Sequence, residues 1–159
     1  MHGVKTKLLV VGDEARARRN LEIIFTILGF AVRAFPNGSS ALDAIRDEIP
    51  DVILSDLEMP GMSGFEFLSI VRRRFPSIRV IAMSREFTST SVPEGVAADA
   101  FYEKGRRLRS LLGAVEAMAR PGKSLESRFP RVSSRSSVFP QTATFQPVNH
   151  TSQFPARSV

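Results

Sequence analysis

The chain has 159 residues, with 22 Lys plus Arg against 16 Asp plus Glu, a formal charge of +6, and neither Cys nor Trp. That length holds one ordinary domain of roughly 100 to 150 residues with an appendage, and excludes two full domains. The lack of Cys excludes a disulfide framework, a thiolate metal site and a Cys nucleophile. No apolar stretch approaches the ~18 residues of a membrane span, and the run after Lys7 is too short for a secretory signal. The expected setting is the cytoplasm.

Charge is unevenly distributed along the chain. Residues 1–119 hold 16 basic and 15 acidic side chains, whereas 120–159 hold six basic ones and the single acid Glu126. Those last 40 residues also contain five of the ten prolines and eight serines. They bury too little apolar surface to offset the entropy of ordering, so 120–159 reads as a disordered basic tail. The first 119 residues alternate short apolar runs with helix-period segments, an α/β pattern.

Leu8 to Val11 reads as a strand covered on both faces. A helix follows with Leu21, Ile24, Phe25 and Leu28 on one face, and Gly29 ends it. Phe30 to Phe35 reads as a second strand, Asn37-Gly38 as a turn, Ala41 to Ile45 as a helix, and Val52 to Leu54 as a third strand. Phe65, Leu68, Val71 and Phe75 mark a helix beginning after Gly64; Ile78 to Met83 is a strand, Ala100 to Tyr102 a last short one. Leu108, Leu111, Leu112, Val115 and Met118 line a final helix. Between Arg85 and Ala98, Ser89, Thr90, Ser91 and Pro93 make any helix short, late or irregular. Five parallel strands joined by right-handed crossovers form a doubly wound sheet, which gathers polar groups at the carboxyl ends of its strands.

Those ends carry Gly12-Asp13-Glu14, Ser55-Asp56-Leu57-Glu58-Met59-Pro60-Gly61, Ser84 and Lys104. Carboxylates and water suit a hard Mg²⁺ ion, beside which an Asp oxygen can attack phosphorus. A hydroxyl and an ammonium stabilise the equatorial oxygens of a transferred phosphoryl group.

With these residues in this order, 5–119 resembles the receiver domain of bacterial two-component response regulators, of the chemotaxis-like kind. The resemblance covers about three quarters of the chain, and its most specific part is Asp56 followed by Met59-Pro60-Gly61-Met62-Ser63-Gly64. It implies a flavodoxin-like strand order 2-1-3-4-5 and a phosphorelay function. Asp56 would be the phospho-acceptor, Lys104 the invariant Lys, Ser84 the switch hydroxyl and Phe101 the switch aromatic. Mg²⁺ would be held by Asp13, Asp56 and the main-chain carbonyl of Glu58. The donor would be a histidine kinase or phosphotransfer protein, the receiver of the signal an unidentified downstream protein, and the chain would be a phospho-acceptor rather than an enzyme.

Three residues depart from the family pattern. Gly12 stands where most receivers carry the first acid of a pair, which weakens the expected hold on Mg²⁺; the side chain of Glu58 is a candidate to compensate. Glu14 is a second candidate, but its ordinary reading is an acid favourable to a helix N-terminus. Gly105 stands where Pro is common and loosens the turn that places Lys104. Arg85 stands where a small residue is usual, as a cover for the site or a contact to the phosphoryl group. A degenerate receiver that binds partners without phosphorylation therefore stays as the alternative.

No output domain is legible after 119, so the chain reads as a single-domain regulator. In the tail, Phe129-Pro130, Phe139-Pro140, Phe145-Gln146-Pro147 and Phe154-Pro155 read as docking motifs or as chance recurrence in a low-complexity extension. Its cations give salt-sensitive, sequence-blind nucleic-acid association as a further alternative. A dinucleotide-binding enzyme is excluded by the missing glycines around Gly12. A haloacid-dehalogenase-like phosphatase is disfavoured because Asp56 follows the third strand, not the first.

Overall fold

A computed structural model describes residues 3–88 and 90–120. The readings of a disordered tail, of Phe-Pro docking motifs and of nucleic-acid association fall on residues outside these. The elements run β1 (Lys7–Val11), α1 (Ala15–Ile27), β2 (Ala31–Phe35), α2 (Gly38–Asp47), β3 (Val52–Asp56), α3 (Gly64–Arg74), β4 (Arg79–Ser84), β5 (Ala100–Glu103) and α4 (Leu108–Ala119). The five strands are all parallel, in the order β2-β1-β3-β4-β5. This is the doubly wound sheet that the alternating pattern implies.

Strand alternation divides the core into two layers. Leu9, Val11, Ile53, Val80 and Ala82 face α2 and α3, where they meet Ile45, Phe67 and Val71. Leu8, Val10, Val52, Leu54 and Ile81 face the other way, onto Phe25 of α1 and Leu111 and Val115 of α4. The central strand β3 is buried at every position, whereas the edge strands β2 and β5 are only partly covered. Continuous apolar runs in β1, β3 and β4 are thus the signature of a sheet with helices on both faces.

Three local readings change. Asn37-Gly38 is not a free turn: Asn37 caps α2, its side-chain oxygen accepting from the Ser40 amide at 2.9 Å, and Gly38 is already helical. Leu28 is 47% exposed, because it lies past the last turn of α1 beyond the covered stripe, while Gly29 ends the helix at φ +94°. No helix occupies the described residues between β4 and β5; turns and bends carry the chain, with Phe87, Val96, Ala97 and Ala98 packed on the α2/α3 layer.

Helix α3 begins against the end of β3. Ser63 and Glu66 form a capping box, each side chain accepting from the other's amide at 3.2 Å. The Gly64 amide donates to the Leu57 carbonyl at 3.0 Å. A Cβ at Gly64 would come within 2.1 Å of the Asp56 carbonyl oxygen and 2.5 Å of the Leu57 Cα. Both obstacles are backbone, so no rotamer change relieves them. Gly64→Ala is expected to cost about 2 to 3 kcal/mol of stability in chemical denaturation. Gly113→Ala, where a Cβ in α4 meets nothing within 4 Å, should be neutral or gain up to ~1 kcal/mol. Equal stabilities for the two variants would contradict this account of the α3 approach.

Candidate functional site

Parallel pairing brings the strand ends to one level. Asp56, the last residue of β3, lies opposite Met83 of β4, and Ser84 opposite Glu103 of β5. The Leu57 amide donates to the Met83 carbonyl at 2.8 Å, and the Lys104 amide to the Ser84 carbonyl at 2.7 Å. These bonds carry the sheet one residue beyond the strands and fix Asp56, Ser84 and Lys104 side by side.

The side chains then meet. Lys104 Nζ is ion-paired with Asp56 Oδ2, the lysine side chain 17% and the aspartate 4% exposed. Asp56 Oδ1 accepts from the Glu58 amide at 3.4 Å. The Ser84 hydroxyl donates to Glu58 Oε1 and accepts from the amides of Glu86 (3.0 Å) and Phe87 (3.1 Å). Four of the residues singled out by sequence, Asp56, Glu58, Ser84 and Lys104, therefore form one hydrogen-bonded group. The doubt raised by Gly105 is settled in favour of contact: Lys104 reaches Asp56. Gly105 adopts φ +95°, which proline, fixed near −65°, cannot reach; this turn is built for glycine.

The remaining residues sit around that group. Asp13 is exposed, and its carboxylate makes no hydrogen bond among the described residues; its carbonyl and that of Gly12 accept from the Arg18 guanidinium at 3.4 and 2.7 Å. A Cβ on Gly12 would stand 3.8 Å from Asp56 Oδ2, ordinary contact, so glycine here leaves room rather than relieving a clash. Glu14 precedes α1 as its N-cap but makes no capping bond; its carboxylate pairs with Arg85 at 2.5 Å. Both partners are largely exposed, so the pair adds at most about 1 kcal/mol. It does hold Arg85 at the rim of the site. Phe101 is partly buried against the α2/α3 layer.

Sequence reasoning missed Arg18 and the bond between Glu58 and Ser84. Arg18 carried a weak signal, four residues after Glu14 on the first turns of α1. Nothing local links residues 58 and 84. The site also adjoins a cleft of about 680 Å³ between α1 and α4, lined by Leu21, Ile24, Leu108 and Leu111 together with Asp56 and Lys104.

Burial raises the Asp56 carboxyl from 3.8 to about 6; Lys104 opposes the shift and the neighbouring Glu58 adds to it. For Glu58 burial also raises, but bonds from Ser84 and Asp56 outweigh it and hold the carboxyl below its usual value. At neutral pH the group is thus mostly anionic, with Asp56 the more basic carboxylate and hence the better nucleophile.

Known proteins share this architecture. The family model described as the response regulator receiver domain matches residues 8–114, and the chain belongs to that family, the receiver domains of two-component systems. It is 39% identical over 80 residues to the DNA-binding transcriptional regulator NtrC of Proteus hauseri, a match covering 50% of this chain but only 17% of that protein. Among solved structures, the chain is similar to the response regulator TrrA of Thermotoga maritima in complex with Mg²⁺-BeF, at 26% identity and a TM-score of 0.65, covering 71% of this chain and 98% of the other. It is equally similar to the chemotaxis response regulator CheY4 of Vibrio cholerae, at 25% identity and a TM-score of 0.67, covering 72% and 99%. A further structure shows TrrA in complex with the histidine kinase ThkA; there the match is 26% identical, with a TM-score of 0.67, covering 72% of this chain and 99% of the other.

The raised Asp56 value has a sign that can be tested. The native carboxyl binds its proton more tightly than the unfolded one, so its cost is absent below about pH 4, grows between about pH 4 and 6, and is complete above. Relative to Asp56→Asn in metal-free buffer, the wild type should lose up to about 3 kcal/mol of unfolding free energy as pH rises through that window. A difference that is flat, or that favours the wild type as pH rises, contradicts the buried-carboxylate account.

Proposed function

We propose that the chain is a phospho-acceptor in a phosphorelay: a phosphohistidine on a histidine kinase or phosphotransfer protein gives its phosphoryl group to Asp56. An Asp56 carboxylate oxygen attacks phosphorus, an O–P bond forms, the N–P bond breaks, and the imidazole leaves with the electron pair and takes up a proton. Lys104 then pairs with the phosphoryl oxygens in place of the free carboxylate, and the Ser84 hydroxyl donates to one of them. The single observation that supports this most is the pairing of the buried Asp56 with the partly buried Lys104 at the carboxyl end of a parallel sheet, beside the buried Ser84 hydroxyl. The chain assists its own phosphorylation and dephosphorylation rather than turning over a separate substrate.

The donor set has the right chemistry for Mg²⁺, which is usually held by one or two carboxylates with several waters. Asp13, Asp56 and the Glu58 main-chain carbonyl would hold it, and at Gly12 no side chain stands beside Asp56 Oδ2 in the place of an acid. When bound, the ion neutralises charge between the Asp56 carboxylate and the incoming phosphoryl group. Among the described residues no three acids or histidines cluster as a ready metal site.

Approach of the donor runs along the cleft between α1 and α4, where apolar side chains and Asp56 share one lining. A histidine kinase as donor is in line with the complex of TrrA with ThkA. The output is a change in protein contacts around β4 and β5, with Ser84 and Phe101 as the moving side chains. The proposed setting is the cytoplasm, as part of the phosphorelay reading.

Beryllofluoride with Mg²⁺ should shift the backbone amides of Asp56, Ser84 and Lys104 in NMR spectra, and Asp56→Asn should abolish the shifts. A wild type that behaves like Asp56→Asn at millimolar Mg²⁺ would support a degenerate, phosphorylation-independent receiver instead. Gly12→Asp, whose Cβ would stand 3.8 Å from the nearest Asp56 atoms, should tighten Mg²⁺ roughly tenfold or more, read from the same amides. Unchanged Mg²⁺ affinity would show that Gly12 is not the reason for a weak site.

A further inference from the structure

Ser84 is fully buried at the end of β4. A hydroxyl has one proton to donate and two lone pairs to accept with, and here all three are used: the amides of Glu86 and Phe87 occupy the lone pairs, and the proton goes to Glu58 Oε1. Glu58 meanwhile grips Asp56 through its amide. One residue therefore holds the phospho-acceptor by its backbone and the switch hydroxyl by its side chain. A phosphoryl group on Asp56 would compete for the same proton and set a second anion next to the Glu58 carboxylate.

We propose that the Glu58 side chain is a positioning residue that acts through Ser84: it holds the hydroxyl turned away from Asp56, and switching requires it to let go. The proposal deepens the phospho-acceptor reading and rests on it. The latch is local in effect but spans β3 and β4, so the loop after Ser84, with Glu86 and Phe87 tied to the same oxygen, moves with it. Phe87 stacks edge-on against Phe65 of α3 at 6.0 Å, which gives the released loop a route to the surface of that layer.

The test is a double-mutant cycle on the intact chain, with beryllofluoride titrated at saturating Mg²⁺ and read from the Phe87 amide. Glu58→Ala should lower the half-saturating concentration about tenfold, the effect of removing one competing bond to a charged group, and Glu58→Gln, which keeps an acceptor without the charge, should fall between. Each variant keeps the Glu58 main-chain carbonyl. In the Ser84→Ala background the Glu58→Ala effect should vanish, because the two residues act as one unit. Without any anion, Glu58→Ala should also speed hydrogen exchange at the Glu86 and Phe87 amides. No change in half-saturation, or the same change with and without Ser84, overturns the latch; the second result would place Glu58 in direct contact with the anion or the ion. A wild type blind to beryllofluoride overturns the phospho-acceptor reading and the switching role together, whereas a responsive wild type with an inert Glu58→Ala overturns the latch alone.

Discussion

A carboxylate at the end of the central, fully buried strand is the constraint around which the site is organised. Asp56 is 3% exposed, and an unpaired charge in such surroundings costs several kcal/mol. Its partner is Lys104, which arrives from the far edge of the sheet, with β4 lying between. That encounter requires β3, β4 and β5 to end together, which the parallel register and the two amide bonds beyond the strands provide. It also requires a turn at Gly105 with a backbone that only glycine adopts readily. Removing Lys104 would strand the buried carboxylate, a loss that typically costs about 3 to 5 kcal/mol where the charge stays unpaired.

The pairing is incomplete by design of the neighbourhood. Lys104 lowers the Asp56 value, yet burial and the nearby Glu58 leave it raised. The folded domain thus carries a carboxylate held at some expense in a place that favours its neutral form, a common sign of a working site. A charge moved outward onto a phosphoryl group would lie closer to the rim, where Arg85 is held by Glu14. Stability and reactivity are set by the same few atoms.

Much of the architecture was legible because its causes are local. Continuous apolar runs mark β1, β3 and β4 as covered on both faces, and the Ser-Thr-Pro content after Arg85 limits any helix there to a short or irregular one, where the described residues have none. Other features were not legible, for physical reasons that differ. Asn37-Gly38 is a strong turn signal, but an Asn oxygen facing the Ser40 amide makes it a helix cap. Leu28 keeps the helical period yet falls past the covered turn. The need for glycine at Gly64 comes from the Asp56 carbonyl pressing on it, a contact between segments. At the site, Asp56, Ser84 and Lys104 could be placed from strand ends alone. The engagement of Ser84 by Glu58, across 26 residues of sequence, could only appear once β3 and β4 were paired.

Asp56 is proposed to take a phosphoryl group. The most direct measurement is transfer from a phosphorylated histidine kinase or phosphotransfer protein to this chain in the presence of Mg²⁺, followed by the chemistry of the label. The account predicts a label that is stable to denaturation but released by hydroxylamine, as an acyl phosphate is, and that is absent from Asp56→Asn. A label equally strong in Asp56→Asn, or no label from any donor while the folded chain binds that donor, would contradict it.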